Sequence, residues 1–562
     1  MMSINGKLFM WVLAVVRASG VIPLLEAVLK PDPRLGGAPR RFGLDVWLAA
    51  FVVAVMSGMG AYETRALQVL TEDLPRSLQV ALGVRRERAG SDEDADIITI
   101  RQIREPLARL AKNLNQSDPA LPAAVREHRR RTLQKLASTM ASGTVPELFG
   151  FLGVWALDHT PLPAWARPWA KYKDNDGNDR IVSADQEARW GHATPTFQTG
   201  NNQWVFGYRA NTYTIVGDDV PAFIEAVEVR PANVGGAEPS VRLGQWLANH
   251  PTNVENTFTK IYADREYPHS LPENWHHPLR ALGAELVFDI NELDMGIEHY
   301  RGMMFINGYP FCPGLPVHLQ VVNRPDRLTQ GERPGDDDPD AQAMWDNVRK
   351  QHEELRSLTE ARRPYELVRL SGNGAGKERF MCQALKHHAA CPLRAFTMQY
   401  PDVDKLTIVE PPPAHLRVEE GICFRKSITV YDDVSPKTRQ RHPWLSAPWL
   451  KDYRNRTTVE RSYASVKSSA NERVSRGWIQ LHGLVNVTFM FAVSAMSQNL
   501  RLAIKYIADH PDIADPCVIL RGPAAFFGHE ELNEAGEMEL YDKAGAIALY
   551  NKLVNPDPDP TA

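Results

Sequence analysis

Four side chains at regular intervals could do chemistry together: Tyr453, Arg456, Glu460 and Lys467, in the run KDYRNRTTVERSYASVK that ends at Lys467. Glu460 follows Arg456 by four residues and precedes Lys467 by seven. At about 3.6 residues per turn these intervals are near one and two full turns, so the spacing predicts one helix with the three on a single face. Tyr453, three residues before Arg456, joins that face. One acid among two fixed cations and a phenol suits a carboxylate that grips a metal ion while its neighbours hold phosphates. The plain alternative is a solvated face with a weak Arg–Glu pair. Against it stands the apolar run Val485–Met496, which ties the stretch to a core.

Two more acids belong with this set. Phe149–Leu157 (FGFLGVWAL) reads as a buried strand ending in Asp158, and Phe258–Ala263 (FTKIYA) as another ending in Asp264. Carboxylates at the tips of two neighbouring strands make a rigid cup for a divalent cation. Taken singly, such an aspartate is most often a turn residue or a helix cap. The two lie 106 residues apart, so only a fold can bring them together. With Glu460 on a helix they form a three-carboxylate set on a β-then-α scaffold, the layout of an RNase H-like nuclease.

The pattern Tyr-x2-Arg-x3-Glu-x6-Lys resembles the signature of DDE transposases from bacterial insertion sequences. LDHTPLPAWARP (157–168) is similar to the family's first-aspartate block, which commonly reads Asp-Gly-Thr; His159 stands in place of the glycine. ADQEARWG (184–191), VFGYRANTY (205–213) and VEVRPANV (227–234) are similar to its following strands. YADREY (262–267), ahead of HPLRALGAELVFDI (277–290), resembles its second-aspartate block. The resemblance implies DNA cleavage and strand transfer with Asp158, Asp264 and Glu460 as catalytic metal ligands. Mg²⁺ is then the expected ion and Mn²⁺ its substitute. It also implies that Tyr453, Arg456 and Lys467 hold DNA, that the partners are terminal inverted repeats and target DNA, and that a homodimer assembles on them. A catalytically idle DNA-binding regulator and a non-transposing nuclease of the same fold are the alternatives.

The elements that must position these residues follow from the chain order. The expected class is α/β: an RNase H-like catalytic domain with an inserted domain, preceded by an α-helical N-terminal domain. Residues 1–145 read as helices (Leu8–Leu29, Asp45–Met56, Glu63–Leu70, Leu74–Leu82, Ile100–Leu114 and Ala120–Met140), with an acidic loop at Gly90–Asp96. The Gly58–Gly60 break suits either a helix-turn-helix that reads DNA or an ordinary bundle. Residues 146–290 hold the first part of the core, with strands Gln203–Ile215, Ala222–Val229 and Glu285–Ile290 and a helix Ser240–Ala248.

The 196 residues between Asp264 and Glu460 exceed a minimal connection, so 291–450 reads as an insertion. It carries an acidic Pro-rich linker (Gly331–Asp340), a charged helix (Asp340–Arg362) and short strands (Tyr365–Leu370, Lys405–Glu410, Gly421–Val430). Residues 451–505 return to the core, and 506–562 form a tail with a Pro/Asp-rich end, Asn555–Ala562, expected to be disordered.

At 562 residues, with 43% hydrophobic and 23% charged content, the chain is a multidomain folded protein and not a disordered one. The net charge of −4 means that any DNA-binding surface is local. Basic clusters fall at Arg85, Arg86 and Arg88; Arg129–Arg131; Lys437, Arg439 and Arg441; and Arg454 and Arg456. Five cysteines in so long a chain argue for a reducing compartment over a disulfide framework, and a cytoplasmic, nucleoid-associated protein is expected. Cys312, Cys382, Cys391 and Cys423 could form a structural Zn²⁺ site, but their irregular spacing, with no Cys-x2-Cys pair, reads as buried free cysteines. In the apolar stretch Leu8–Leu29, Arg17, Pro23 and Glu26 argue for a buried helix pair and against a membrane or signal segment. Trp444 and Trp449 read as packing residues, with a surface for an unstacked base as the alternative.

Overall fold

The computed structural model describes residues 6–29, 40–88, 91–149, 152–168, 171–173, 176, 179–181, 183–193, 203–250, 258–325, 338–372, 376–468, 471–475, 477–510, 529–532 and 538–541. The linker stretch 331–337, residues 174–175, 177–178, 182 and 194–202, Cys517 and the tail end Asn555–Ala562 therefore lie outside the described residues. The chain is mixed α/β with a helical N-terminal region, and it forms two compact units. One holds residues 1–152, 158–235 and 458–562; the other holds 153–157 and 236–457.

The first unit is built on two helices apolar on nearly every face. Leu44–Met56 is buried at every residue but Asp45, and Leu484–Asp509 is buried along most of its length. A helix with no polar face has nowhere to sit but the middle of a bundle. Phe489 stacks on Trp47 with ring centroids 5.1 Å apart. Ile100–Leu114 is amphipathic: Ile103, Leu107, Leu110 and Leu114 face inward, and Thr99 with Gln102 closes its first turn in a capping box. The stretch from Leu8 to Leu29 is a pair of helices, Gly6–Ala18 and Val21–Val28, bent by 74° where Gly20 takes φ 75°. Among the described residues no single helix is long and apolar enough to cross a membrane. That bent pair passes the length and composition test together, and Leu8–Val16 within it is entirely buried.

The stretch Gly90–Asp96 departs from the expected loop. Ser91–Ile97 is a strand, antiparallel to Arg85–Arg88, with Arg86 opposite Asp96 and Arg41 paired to Asp96 at 2.8 Å. Opposite charges across a hairpin favour pairing that polarity alone does not reveal.

The sheet of this unit centres on Gln203–Ile215, antiparallel to Arg189–Ala193 over Gln203–Gly207 and to Ile224–Pro231 over Tyr208–Thr214. Buried polar side chains tie helices to it: Ser138 bonds the backbone N and O of Val227. Asn499 accepts from the Ile224 N–H and donates to the carbonyls of Ile224 and Ala141. The N-terminus of the long Leu484–Asp509 helix is covered by two carboxylates, Asp185 accepting from Gly483 N and Glu187 from Leu484 N.

The strand carrying Asp158 spans Val154–Pro163, not Phe149–Leu157. Phe149 instead ends a 3₁₀ turn and packs on Phe223 and Tyr506. Beyond Asp158 the buried residues Thr160 and Leu162 alternate with outward Pro161 and Pro163. That period of two is a strand's, masked in the sequence by two prolines. Within the first unit this strand lies beside Gln203–Ile215, and Ala164 just past its end donates its N–H to Phe206 O.

In the second unit three short strands run parallel: Val154–Leu157 on Lys260–Ala263, and that on Glu285–Phe288. Helices Ala237–Ala248 and His276–Ala281 precede the second and third of them. Beyond lies a meander, Ile297–Tyr300, Met303–Ile306 and Tyr309–Phe311, then the helix Pro339–Arg362 and an antiparallel sheet of Val368–Ser371, Glu378–Met381 and Ile428–Val430. Of the expected strands Lys405–Glu410 and Gly421–Val430, only Thr407–Ile408 and Ile428–Val430 form. Residues 421–424 turn tightly instead, with Ile422 N bonded to Arg301 O.

Candidate functional site

The residues singled out by type and spacing fall in both units. In the first, Asp158 sits mid-strand with a side chain 13% exposed, and its Oδ1 accepts from the backbone N of His159 at 2.7 Å. Glu460 lies in the first turn of the helix Thr457–Lys467 and is exposed. That helix is fixed to the strand by Tyr463, whose hydroxyl donates to the carbonyl of Asp158 at 2.7 Å. Its single proton is committed there, so Thr212 Oγ1, 2.8 Å away, is the donor to Tyr463 Oη. Ser462, one residue back, receives Gln498 Nε2 from the long helix at 2.7 Å.

Lys467 closes the same helix. More than a third of its surface is open to solvent, yet its ammonium stands in surroundings desolvated enough to lower its pKa. The Asp158 carboxylate acts on it in the opposite direction. Asp158 and Lys467 are thus electrostatic neighbours.

In the second unit Asp264 directly follows Lys260–Ala263. It pairs with Arg456 at 3.4 Å, with the arginine side chain 11% exposed and the aspartate 34%. The parallel register matches Leu157 to Ala263. The next residues along those two strands are Asp158 and Asp264. Asp452 receives Lys260 Nζ at 2.9 Å and Tyr262 Oη at 2.6 Å, and Asn455 donates to Tyr262 Oη at 3.1 Å. Burial, then the Asp452 carboxylate, drive the Tyr262 phenol far above its usual range, so it stays a donor. Tyr453 stacks on Trp449, centroids 4.5 Å apart.

Tyr453, Arg456, Glu460 and Lys467 do not share one helix. Ala447–Tyr453 ends at the tyrosine, Arg454–Arg456 is a 3₁₀ turn, and Thr457–Lys467 is a separate helix. The bonds of Asn455 and Arg456 to Tyr262 and Asp264 hold the tighter turn. The chain passes from the second unit to the first immediately after it, at Thr457–Thr458. Arg456 is buried against a carboxylate, where the spacing placed it on an open face.

The basic clusters are largely engaged within the molecule. Arg130 and Arg131 pair with Glu127, and Arg130 also lies 3.5 Å from Glu228. Arg129 donates to Asn115 O. Lys437 pairs with Asp294, Arg439 with Asp432 and Arg441 with Glu285. Trp444 and Trp449 are packing residues: both are buried, donating to Asp289 and Gln440.

Sequence reasoning missed Tyr463, Thr212 and Asp452. Tyr463 carried a signal, lying three residues after Glu460 and four before Lys467 on the same helix. Thr212 and Asp452 carried none, since their partners are more than 190 residues away.

Among the described residues no three His, Cys, Asp or Glu side chains are gathered closely enough to form a preassembled metal cluster. Comparison with protein-family models, with curated proteins and with solved structures yields no match.

Proposed function

We propose that this chain is a DNA transposase of the DDE type, cleaving and joining phosphodiesters with Asp158, Asp264 and Glu460, on an RNase H-like core. The observation that carries this reading is the parallel register of Leu157 with Ala263, which makes an aspartate the next residue on each of two adjacent strands. Support also comes from the helices Ala237–Ala248 and His276–Ala281, which precede the two later parallel strands. Tyr463 adds to it by tying the Glu460 helix to Asp158.

The donor set fits Mg²⁺: three carboxylates that only accept, with no thiol or imidazole required. Bound there, two such ions would supply a more acidic attacking water or 3′-hydroxyl and a stabilised leaving oxygen. The chain's own residues do the rest. Arg456 pairs with the Asp264 carboxylate, and Lys467 is the cation beside Asp158. Lys467 and Tyr453 are the residues assigned to phosphate contacts, through charge-assisted and phenol hydrogen bonds.

The test uses the purified full chain, Mg²⁺ and labelled DNA carrying the sequences that flank its coding region. Asp158→Asn, Asp264→Asn and Glu460→Gln should each lower cleavage by about 100-fold or more, as loss of a metal ligand does. Undiminished cleavage by any of the three would overturn the assignment. Cleavage without joined products would mark a nuclease instead.

A further inference from the structure

The second unit brings four thiols from distant points of the chain to one small cavity. Cys312, Cys382, Cys391 and Cys423 all line a space of about 20 Å³. That is room for one water- or ion-sized occupant and no more. Each cysteine comes from a different local element. Cys312 follows the strand Tyr309–Phe311, Cys382 follows Glu378–Met381, Cys391 follows Ala389–Ala390, and Cys423 stands in the turn after Gly421. All four are free thiols.

In Cys312-Pro313-Gly314 the Gly314 N–H donates to the Cys312 sulfur at 3.4 Å. In Cys391-Pro392-Leu393-Arg394 the Arg394 N–H donates to the Cys391 carbonyl at 2.9 Å and closes a turn. Backbone donors aimed at sulfur stabilise thiolate over thiol. Gly314 is also held by space: a Cβ there would stand 2.2 Å from Glu410 O, so the loop lies directly on the neighbouring chain. Positive charge is at hand. Arg394 lines the cavity, Arg417 lies within electrostatic reach of Cys423, and the buried Arg394 Nε–H makes no hydrogen bond.

Among the described residues the four are not gathered into a ready-made metal cluster.

We infer that Cys312, Cys382, Cys391 and Cys423 form a tetrahedral Zn²⁺ site that staples the insertion between Asp264 and Glu460. Four thiol protons leave on binding, and the resulting Zn(S-Cys)₄ centre carries two negative charges, facing Arg394 and Arg417. Four-sulfur sets without an open position are structural, not catalytic. The site spans 312 to 423, so its ion contributes directly to folding of that segment.

The full chain, purified without added metal, should contain one zinc per molecule by elemental mass spectrometry. A mercurial titrant should release it, and Co²⁺ exchanged in its place should give a thiolate-to-cobalt charge-transfer spectrum of tetrahedral type. Cys391→Ser and Cys312→Ser should lose most of the zinc, while Cys517→Ser keeps it. Zinc-free wild-type protein that takes up no cobalt would overturn the inference. So would disulfides among the four found by alkylation mapping, or bound iron. Failure here leaves the phosphodiester reading untouched, since none of its residues touches this cavity.

Discussion

Tyr463 donates its hydroxyl to the carbonyl of Asp158 across 2.7 Å and receives Thr212 in turn, so one phenol sets the helix of Glu460 against the strand of Asp158. Both partners are polar atoms of a buried junction, which cannot turn to water if the phenol is lost. Tyr463→Phe should therefore cost about 1–3 kcal/mol in urea unfolding. DNA cleavage should fall through turnover more than through DNA affinity, because the acids are mispositioned and the phosphate contacts remain. Unchanged unfolding and unchanged turnover together would show that the junction is held by other contacts.

Lys467 titrates in the field of Asp158. Desolvation lowers the lysine pKa and the aspartate raises it. Asp158→Asn removes the raising partner, so Lys467 should titrate at lower pH than in the wild type. Lysine side-chain NMR or the pH dependence of its acylation would read the shift. A Lys467 pKa that stays put or rises would separate the two residues.

Asn499 links a helix, a strand and the Ala141–Thr144 turn through hydrogen bonds to Ile224, Ala141 and Thr144. Asn499→Leu leaves several buried backbone groups unpaired. It should destabilise the chain by on the order of 3 kcal/mol, checked by chemical denaturation of the full protein. A loss under about 0.5 kcal/mol, the range of surface substitutions, would mean that water reaches the junction.

Glu366 gives a pH signature. Burial, opposed by Arg363 and Tyr309, raises its carboxyl from 4.5 to about 7. Below the lower value both folded and unfolded chains carry the proton, and no penalty arises. Between the two values the unfolded chain ionises while the folded one does not, so stability falls as pH rises and levels off above about 7. Glu366→Gln should remove that slope, gaining on the order of 2 kcal/mol over wild type at pH 8 but little at pH 4. Denaturation midpoints of both proteins across that range would show it; parallel curves would contradict it.

What the amino-acid order determined alone was local. Apolar runs such as Leu44–Met56 and Val485–Met496 had to lie in core helices, and the strands Gln203–Ile215 and Glu285–Phe288 announced themselves by β-branched and aromatic content. Asp158, Asp264 and Glu460 stood out by type and position next to such elements. Tertiary structure decided everything that depends on distant partners. It paired Leu157 with Ala263, and it broke the stretch from Tyr453 to Lys467 because Arg456 and Asn455 found partners near Lys260–Ala263. It engaged Arg129 with Asn115 and Arg130 with Glu127 while Arg131 stayed exposed, and it drew four irregularly spaced cysteines to one cavity. Periodicity records which face of an element is buried. It holds no record of which other element buries it, and the chemistry of this chain lies in those pairings.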